Sequence, residues 1–158
     1  MVRSLSHLVL SCAGAAALAL SSPAWAAHGG EGLKWGDAPP VLPKGAKLAV
    51  LHGDPTKPGP FVMRLQVPAG YKVAPHWHSK DENVTVMSGA FMVGMGDKPD
   101  VKAMKTFKAG DFGSIPAKQK HYAMAKTAAI IQIHGDGPFD LTYVNADDDP
   151  AKMTKAKK

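Results

Sequence analysis

Cysteine is almost absent: among 158 residues the only one is Cys12, inside an apolar N-terminal stretch. If that stretch is removed, disulfides, thiolate metal ligation and a thiol nucleophile are all excluded. Any metal site must then use nitrogen and oxygen donors. Long hydrophobic runs are missing too, since Leu8 to Leu20 is mostly apolar but too short for a comfortable membrane span. No arginine cluster with interleaved aromatics accompanies the net charge of +6. The lysines are scattered, with one dense group in the tail at Lys152, Lys155, Lys157 and Lys158. This pattern reads as a solvated surface with at most weak attraction to anionic membranes, and not as a nucleic-acid footprint. No phosphate-cradling loop, nucleophile elbow or dinucleotide fingerprint occurs, which argues against an NTPase, a serine hydrolase or an NAD enzyme.

What stands first is a targeting segment, Met1 to Ala26. Arg3 supplies a positive start, the apolar run comes next, and Ala24-Trp25-Ala26 places small residues where a signal peptidase reads. We expect cleavage after Ala26, a periplasmic or secreted protein, and no stable membrane insertion afterwards. An uncleaved anchor, or a lipoprotein site at Cys12, fits the A-x-A pattern less well. The remaining chain of about 130 residues is one domain's worth. Residues 27–43, rich in Gly, Pro and Ala, form an extended arm in this reading. Trp35 packs there on the body of the protein or on a second copy, and a strand-exchanged homodimer is one use of such an arm.

The stretch GYKVAPHWHSKDENVTVMSG, Gly70 to Gly89, is the most informative in the chain. Side chains alternate along a strand with period two, so His76 and His78 share a face. Glu82 joins them if the chain stays extended or turns tightly through Ser79-Lys80-Asp81. Two imidazoles and a carboxylate on one side of a β-segment make half a site for a divalent transition metal. Pro75 keeps Ala74 extended, and Gly70 and Gly89 supply turn conformations.

Around this stretch the pattern is β almost throughout. KLAVLHG is a short strand, and Phe61, Met63, Leu65 and Val67 alternate with Val62, Arg64 and Gln66 in a half-buried one. Asn83 to Met87 and Ala90 to Met95 are expected to form a hairpin at Ser88-Gly89. A lysine-rich connection from Asp97 to Thr106 has room for one helical turn near Pro99, and Lys108 to Asp111 reads as a turn. Further strands are expected at Phe112 to Ile115, His121 to Lys126, Ala128 to His134 and Phe139 to Val144, before an acidic turn, Asp147 to Asp149. The basic tail after it is expected to be disordered. Short strands joined by Gly/Pro turns argue an all-β sandwich or barrel, with the barrel over residues 44–146 and a charged tail over 147–158.

The central stretch, as G-x5-H-x-H-x3-E-x6-G, resembles the first motif of the cupin superfamily. Gly110, Pro116 and His121 resemble the second, G-x5-P-x-G-x2-H-x3-N, with Lys118 where Gly is usual and Ala125 where Asn is usual. The two motifs and their spacer cover about a third of the chain. GDPTKPGPFVMRLQVPAGY, DENVTVMSG and IQIHGDGPF further resemble a poorly characterised group of single-domain bacterial cupins with signal peptides. The resemblance implies a cupin-type double-stranded β-helix, a jelly-roll barrel of one domain. It also implies one divalent metal ion (Fe, Mn, Ni, Co, Cu or Zn) on His76, His78, Glu82 and His121, with positions left for a small molecule.

Glu82 either completes the ligand set or swings away as a base. Gln132 and His134 share one face of AIIQIHG, opposite Ile131 and Ile133. If that polar face points inward, His134 is a second candidate acid or base; otherwise it is a satisfied strand-end histidine. His52 and His28 read as structurally bland. Met87, Met92, Met95 and Met124 read as core filling, ahead of a copper–thioether site. Two functions remain open. One is a metal-dependent, dioxygenase-like oxidoreductase acting on a small oxygen-bearing molecule; the other is a non-catalytic binder of a small ligand or metal.

Overall fold

The computed structural model describes residues 32–155. The expected targeting segment, His28 and the start of the expected arm lie outside the described residues. Among the described residues eleven strands form two antiparallel sheets. In chain order they are β1 (Gly36–Asp37), β2 (Lys47–His52), β3 (Gly59–Val67), β4 (Lys72–Trp77), β5 (Glu82–Ser88), β6 (Ala90–Met95), β7 (Lys105–Lys108), β8 (Phe112–Ile115), β9 (His121–Ala125), β10 (Ala129–Gly137) and β11 (Thr142–Tyr143). One sheet has the order β1-β2-β3-β10-β5-β8, and the other β11-β4-β9-β6-β7. This is an all-β jelly roll, as the turn-punctuated pattern predicts.

The core lies between the two sheets. Phe61, Met63, Leu65 and Val67 of β3 are buried, as their alternation requires, and face Phe91, Ala123 and Ala125 of the other sheet in one cluster. Each such side chain contributes about 1.5–3 kcal/mol of burial. The strand β10 is paired on both sides, with β3 and β5, so its position is set by two registers at once.

The β4–β9 pair brings two distant histidines side by side. Val73 stands opposite Ala123 and His76 opposite His121, so one extra residue is accommodated between Val73 and His76. In a regular strand Val73 and His76 would face opposite sides. The bulge, at Ala74-Pro75, turns both inward, and both are buried.

Several expectations are corrected. β5 and β6 do not form a hairpin, because they belong to different sheets. β5 bonds to β8 and β10, β6 to β7 and β9, and Gly89 carries the chain across between them. The lysine-rich connection does hold a helical turn, Val101–Ala103, capped by Asp100, but then forms the edge strand β7. Its exposed Lys105 and Lys108 hid the strand from an apolar-pattern reading, and charged residues are common on edges because they discourage further pairing. The expected strand from Phe139 to Val144 shrinks to Thr142–Tyr143, with a loop before it. The tail is helical over Pro150–Lys155. Within the arm, Gly36 and Asp37 pair with Leu48 and Lys47 of the same chain. None of the four methionines read as core is fully buried: Met87 and Met95 are exposed, and Met92 and Met124 are partly so.

Gly89 has φ +77°, and a Cβ there would sit 2.1 Å from the carbonyl oxygen of Ala128. Both the backbone angle and the space favour glycine. Gly89→Ala should cost at least about 2 kcal/mol in urea unfolding, and a change within about 0.5 kcal/mol would refute this account of the crossover.

Candidate metal centre

His76, His78, Glu82 and His121 converge on the interior and are all buried. The bulged strand β4 brings in His76, and His78 lies just beyond its end. Glu82 opens β5, in register with Ile115 of β8. His121 opens β9, after a loop in which Lys118 takes φ +63°. Glycine is usual at that point of the motif, and lysine adopts the same left-handed turn, at some steric cost. The backbone N–H of Lys118 donates to the carbonyl of His78 at 2.7 Å, which ties the two motifs together.

The rings of His76 and His121 lie 4.1 Å apart, His76 and His78 5.0 Å, and His78 and His121 5.2 Å. Each ring is oriented through Nδ1. His76 bonds to the carbonyl of Ala74 at 2.7 Å, His78 to that of Asp140 at 2.5 Å, and His121 to that of Gln119 at 2.9 Å. A carbonyl can only accept, so each Nδ1 carries a proton, and a ring in its neutral form then presents its Nε2 lone pair. The three histidines each offer one ring nitrogen as a ligand, all within 4.8 Å of one another. Glu82 Oε2 stands 3.4 Å from His78 Nε2 and 3.3 Å from His121 Nε2. His78 Nε2 is nonetheless buried without a hydrogen bond.

An orphaned buried nitrogen among converging lone pairs is what a metal ion would satisfy, and the all-N/O donor set suits a divalent transition ion. The residues fit such an ion.

Electrostatics support the same conclusion. Burial, and next the neighbouring His121, push His76 down to about 3, so it stays a neutral donor at ordinary pH. For His78 burial opposes charge, but the Glu82 carboxylate outweighs it and the pKa is raised. Burial would raise Glu82 as well, yet the adjacent His121 and His78 hold it far below the usual carboxylate range.

The loop 138–141 completes the setting. Phe139 stacks on His78, centroids 4.4 Å apart at 20°. The Asp140 carboxylate accepts from Ser79 N and Oγ, both at 2.8 Å, while its carbonyl holds the His78 ring. Sequence reasoning missed Phe139, Asp140 and Ser79 as supports, because the Asp140 contact spans 62 residues of chain.

Gln132 and His134 lie outside this centre, which corrects the alternative in which they face inward. Ile131 and Ile133 take the inner face of β10, being the more apolar pair. On the outer face Gln132 Oε1 accepts from Arg64 Nε at 3.1 Å, and His134 stacks against Phe112 with centroids 6.2 Å apart. His52 is exposed at the end of β2, as expected, and Tyr122 points away from the centre to hydrogen-bond Asp100. A cavity of about 380 Å³ opens above the histidines, lined mainly by aliphatic side chains of both sheets.

No protein-family model matches the chain, and no curated protein matches it in sequence. Solved structures do match in fold. The polyketide cyclase RemF of Streptomyces resistomycificus aligns with TM-score 0.64 and 15% identity, over 78% of this chain and 88% of that one. A candidate acetylacetone dioxygenase of Methylibium petroleiphilum PM1 aligns with TM-score 0.59 and 22% identity, over 83% and 89%. An RmlC-like cupin of Shewanella frigidimarina NCIMB 400 aligns with TM-score 0.53 and 19% identity, over 76% and 92%.

The metal-free chain should lose stability as pH falls from about 6.5 towards 3. Unfolded His76 takes up a proton near 6.5, whereas folded His76 resists until about 3, so the unfolded state gains. His78, being raised, opposes this close to 6.5 and adds no slope once both states are protonated, about one unit lower. Below 4.5 Glu82 adds loss of the same sign. Urea titrations across this range should show a falling midpoint, with His76→Gln flattening the part above 4.5. A pH-independent midpoint between 6.5 and 4.5 would contradict the assignment.

Proposed function

We propose that this chain, a cupin by fold, is an exported protein that holds one divalent transition metal on His76, His78, His121 and Glu82. On this reading it is an enzyme of dioxygenase type, acting on a small oxygen-bearing molecule in the cavity above. The observation that carries it is the set of three Nδ1-anchored imidazoles, with their free nitrogens gathered beside one ionised carboxylate. A bound ion of this class supplies Lewis acidity or, if redox-active, the means to activate dioxygen.

The chain's own residues do the rest. The histidines keep a fixed donor geometry because backbone carbonyls hold their other nitrogens. Glu82 either stays with them or takes a proton from the bound molecule onto its own carboxylate. The apolar walls exclude water from the reacting end. Fold alone does not choose among chemistries, and the matched structures include both a cyclase and a candidate dioxygenase. Export rests on the Arg3, apolar-run and A-x-A pattern of Met1 to Ala26.

The test is isolation from the exported fraction of an expressing bacterium, with metal analysis and the intact mass. One ion per chain, an N-terminus at Ala27, and oxygen uptake with 1,3-diketones, flavonols or hydroxy-ketones are expected. An ion without uptake would replace the enzyme with a binding protein, and absence of any ion would overturn the metal reading. His121→Ala should weaken Co(II) binding more than tenfold, whereas His134→Ala should leave it unchanged.

A further inference from the structure

The walls of the cavity differ from its floor in a way that bears on what can enter. Apart from the histidines and Glu82 at the floor, the lining is Val, Leu, Ile, Met, Phe, Ala and Pro, with Asp54, Thr56 and Asp140. Among the described residues it contains no lysine, arginine, serine, tyrosine, asparagine or glutamine. Every formal charge in the lining, other than what the histidines carry, is a carboxylate.

Lys57, which pairs with the lining residue Asp54 at 2.8 Å, lies largely in solvent. The two acids are also committed: Asp54 to Thr56 and Lys57, Asp140 to Ser79.

We infer that the site takes a small, uncharged, largely apolar molecule whose oxygens are gathered at one end, such as a 1,3-diketone, and rejects sugars and carboxylic acids. This rests on the function proposed above and deepens it by naming the substrate class. A sugar would bury several hydroxyls against aliphatic wall, each costing about 1–3 kcal/mol without a partner. A free carboxylate would meet positive charge only at the bound ion, with no guanidinium or ammonium among the described lining residues beside it, and would have Glu82, Asp54 and Asp140 against it. An apolar body gains about 25 cal/mol per Å² on entering, so the walls reward what the sugar or acid lacks. At about 380 Å³ the space is near the lower end of the roughly 300–1,000 Å³ usual for ligand sites, which limits the body to about one ring or a short branched chain. The opening is marked by Val50, which lines the cavity yet is 46% exposed, and by the exposed Thr56 and Asp140.

The test compares benzoylacetone with acetoacetate, which keeps the 1,3-dioxygen spacing but adds a charge, and with gluconate. Binding to the Co(II)-loaded chain is followed by the visible spectrum of the bound cobalt and by calorimetry, so no turnover is needed. Benzoylacetone should bind at least tenfold more tightly than acetoacetate, and gluconate should not bind. Equal or tighter acetoacetate, any comparable gluconate affinity, or no benzoylacetone binding overturns the proposal. Calorimetry on the metal-free chain should show the same order, more weakly. Failure to load cobalt therefore sinks the metal reading alone, whereas a lost preference sinks this one. In the variant Val50→Lys, a cation at the opening should raise acetoacetate affinity several-fold and leave benzoylacetone nearly unchanged. No gain for acetoacetate would mean that missing positive charge is not what excludes acids.

Discussion

Three backbone carbonyls, of Ala74, Gln119 and Asp140, dictate what the interior of this protein can do. Each accepts the one N–H of a buried imidazole and thereby aims the other nitrogen's lone pair at a common point. Lone pairs gathered in this way repel one another, and a carboxylate placed beside them adds to the strain. Protonation of His78 relieves part of it, as its raised pKa indicates, and a cation would relieve more. The fold holds this arrangement because the donors come from elements fixed for other reasons. β10 is locked on both edges, β4 is paired with β9, and the loop at Asp140 is pinned by Phe139 N to Pro55 O and by Ser79.

The bulge in β4 links fold to chemistry. Without it, Val73 could not fill the core while His76 reached the centre, since an odd spacing would put them on opposite faces. Pro75 suits that position because it has no N–H to leave unpaired in the interrupted ladder. The apolar interior then has two roles. It supplies most of the burial that stabilises the jelly roll, and it makes the space above the histidines inhospitable to charge.

Much of this was legible in the chain and some was not. The spacing of His76, His78 and Glu82 is local, so alternation along a strand was enough to group them. His121 lies far along the sequence and was placed by its own motif, in which Lys118 stands in for glycine and still makes the left-handed turn. The alternation of β10 was also legible, but alternation does not say which face is inner. Burial of Ile131 and Ile133, and the Arg64 partner waiting for Gln132 outside, decided that. The hairpin expected at Ser88-Gly89 failed because a tight turn does not reveal that both flanking strands have distant partners.

The amino-acid sequence by itself determined the all-β class, the donor types available to the site and the local grouping of the first three ligands. These come from composition and from short-range periodicity, which do not depend on what lies across the fold. Tertiary structure alone decided the pairing of His76 with His121, the carbonyls that orient the rings, the stacking of Phe139 and the charge-poor walls. Those are contacts between residues tens of positions apart. Their geometry exists only once strand register and sheet packing have brought them together.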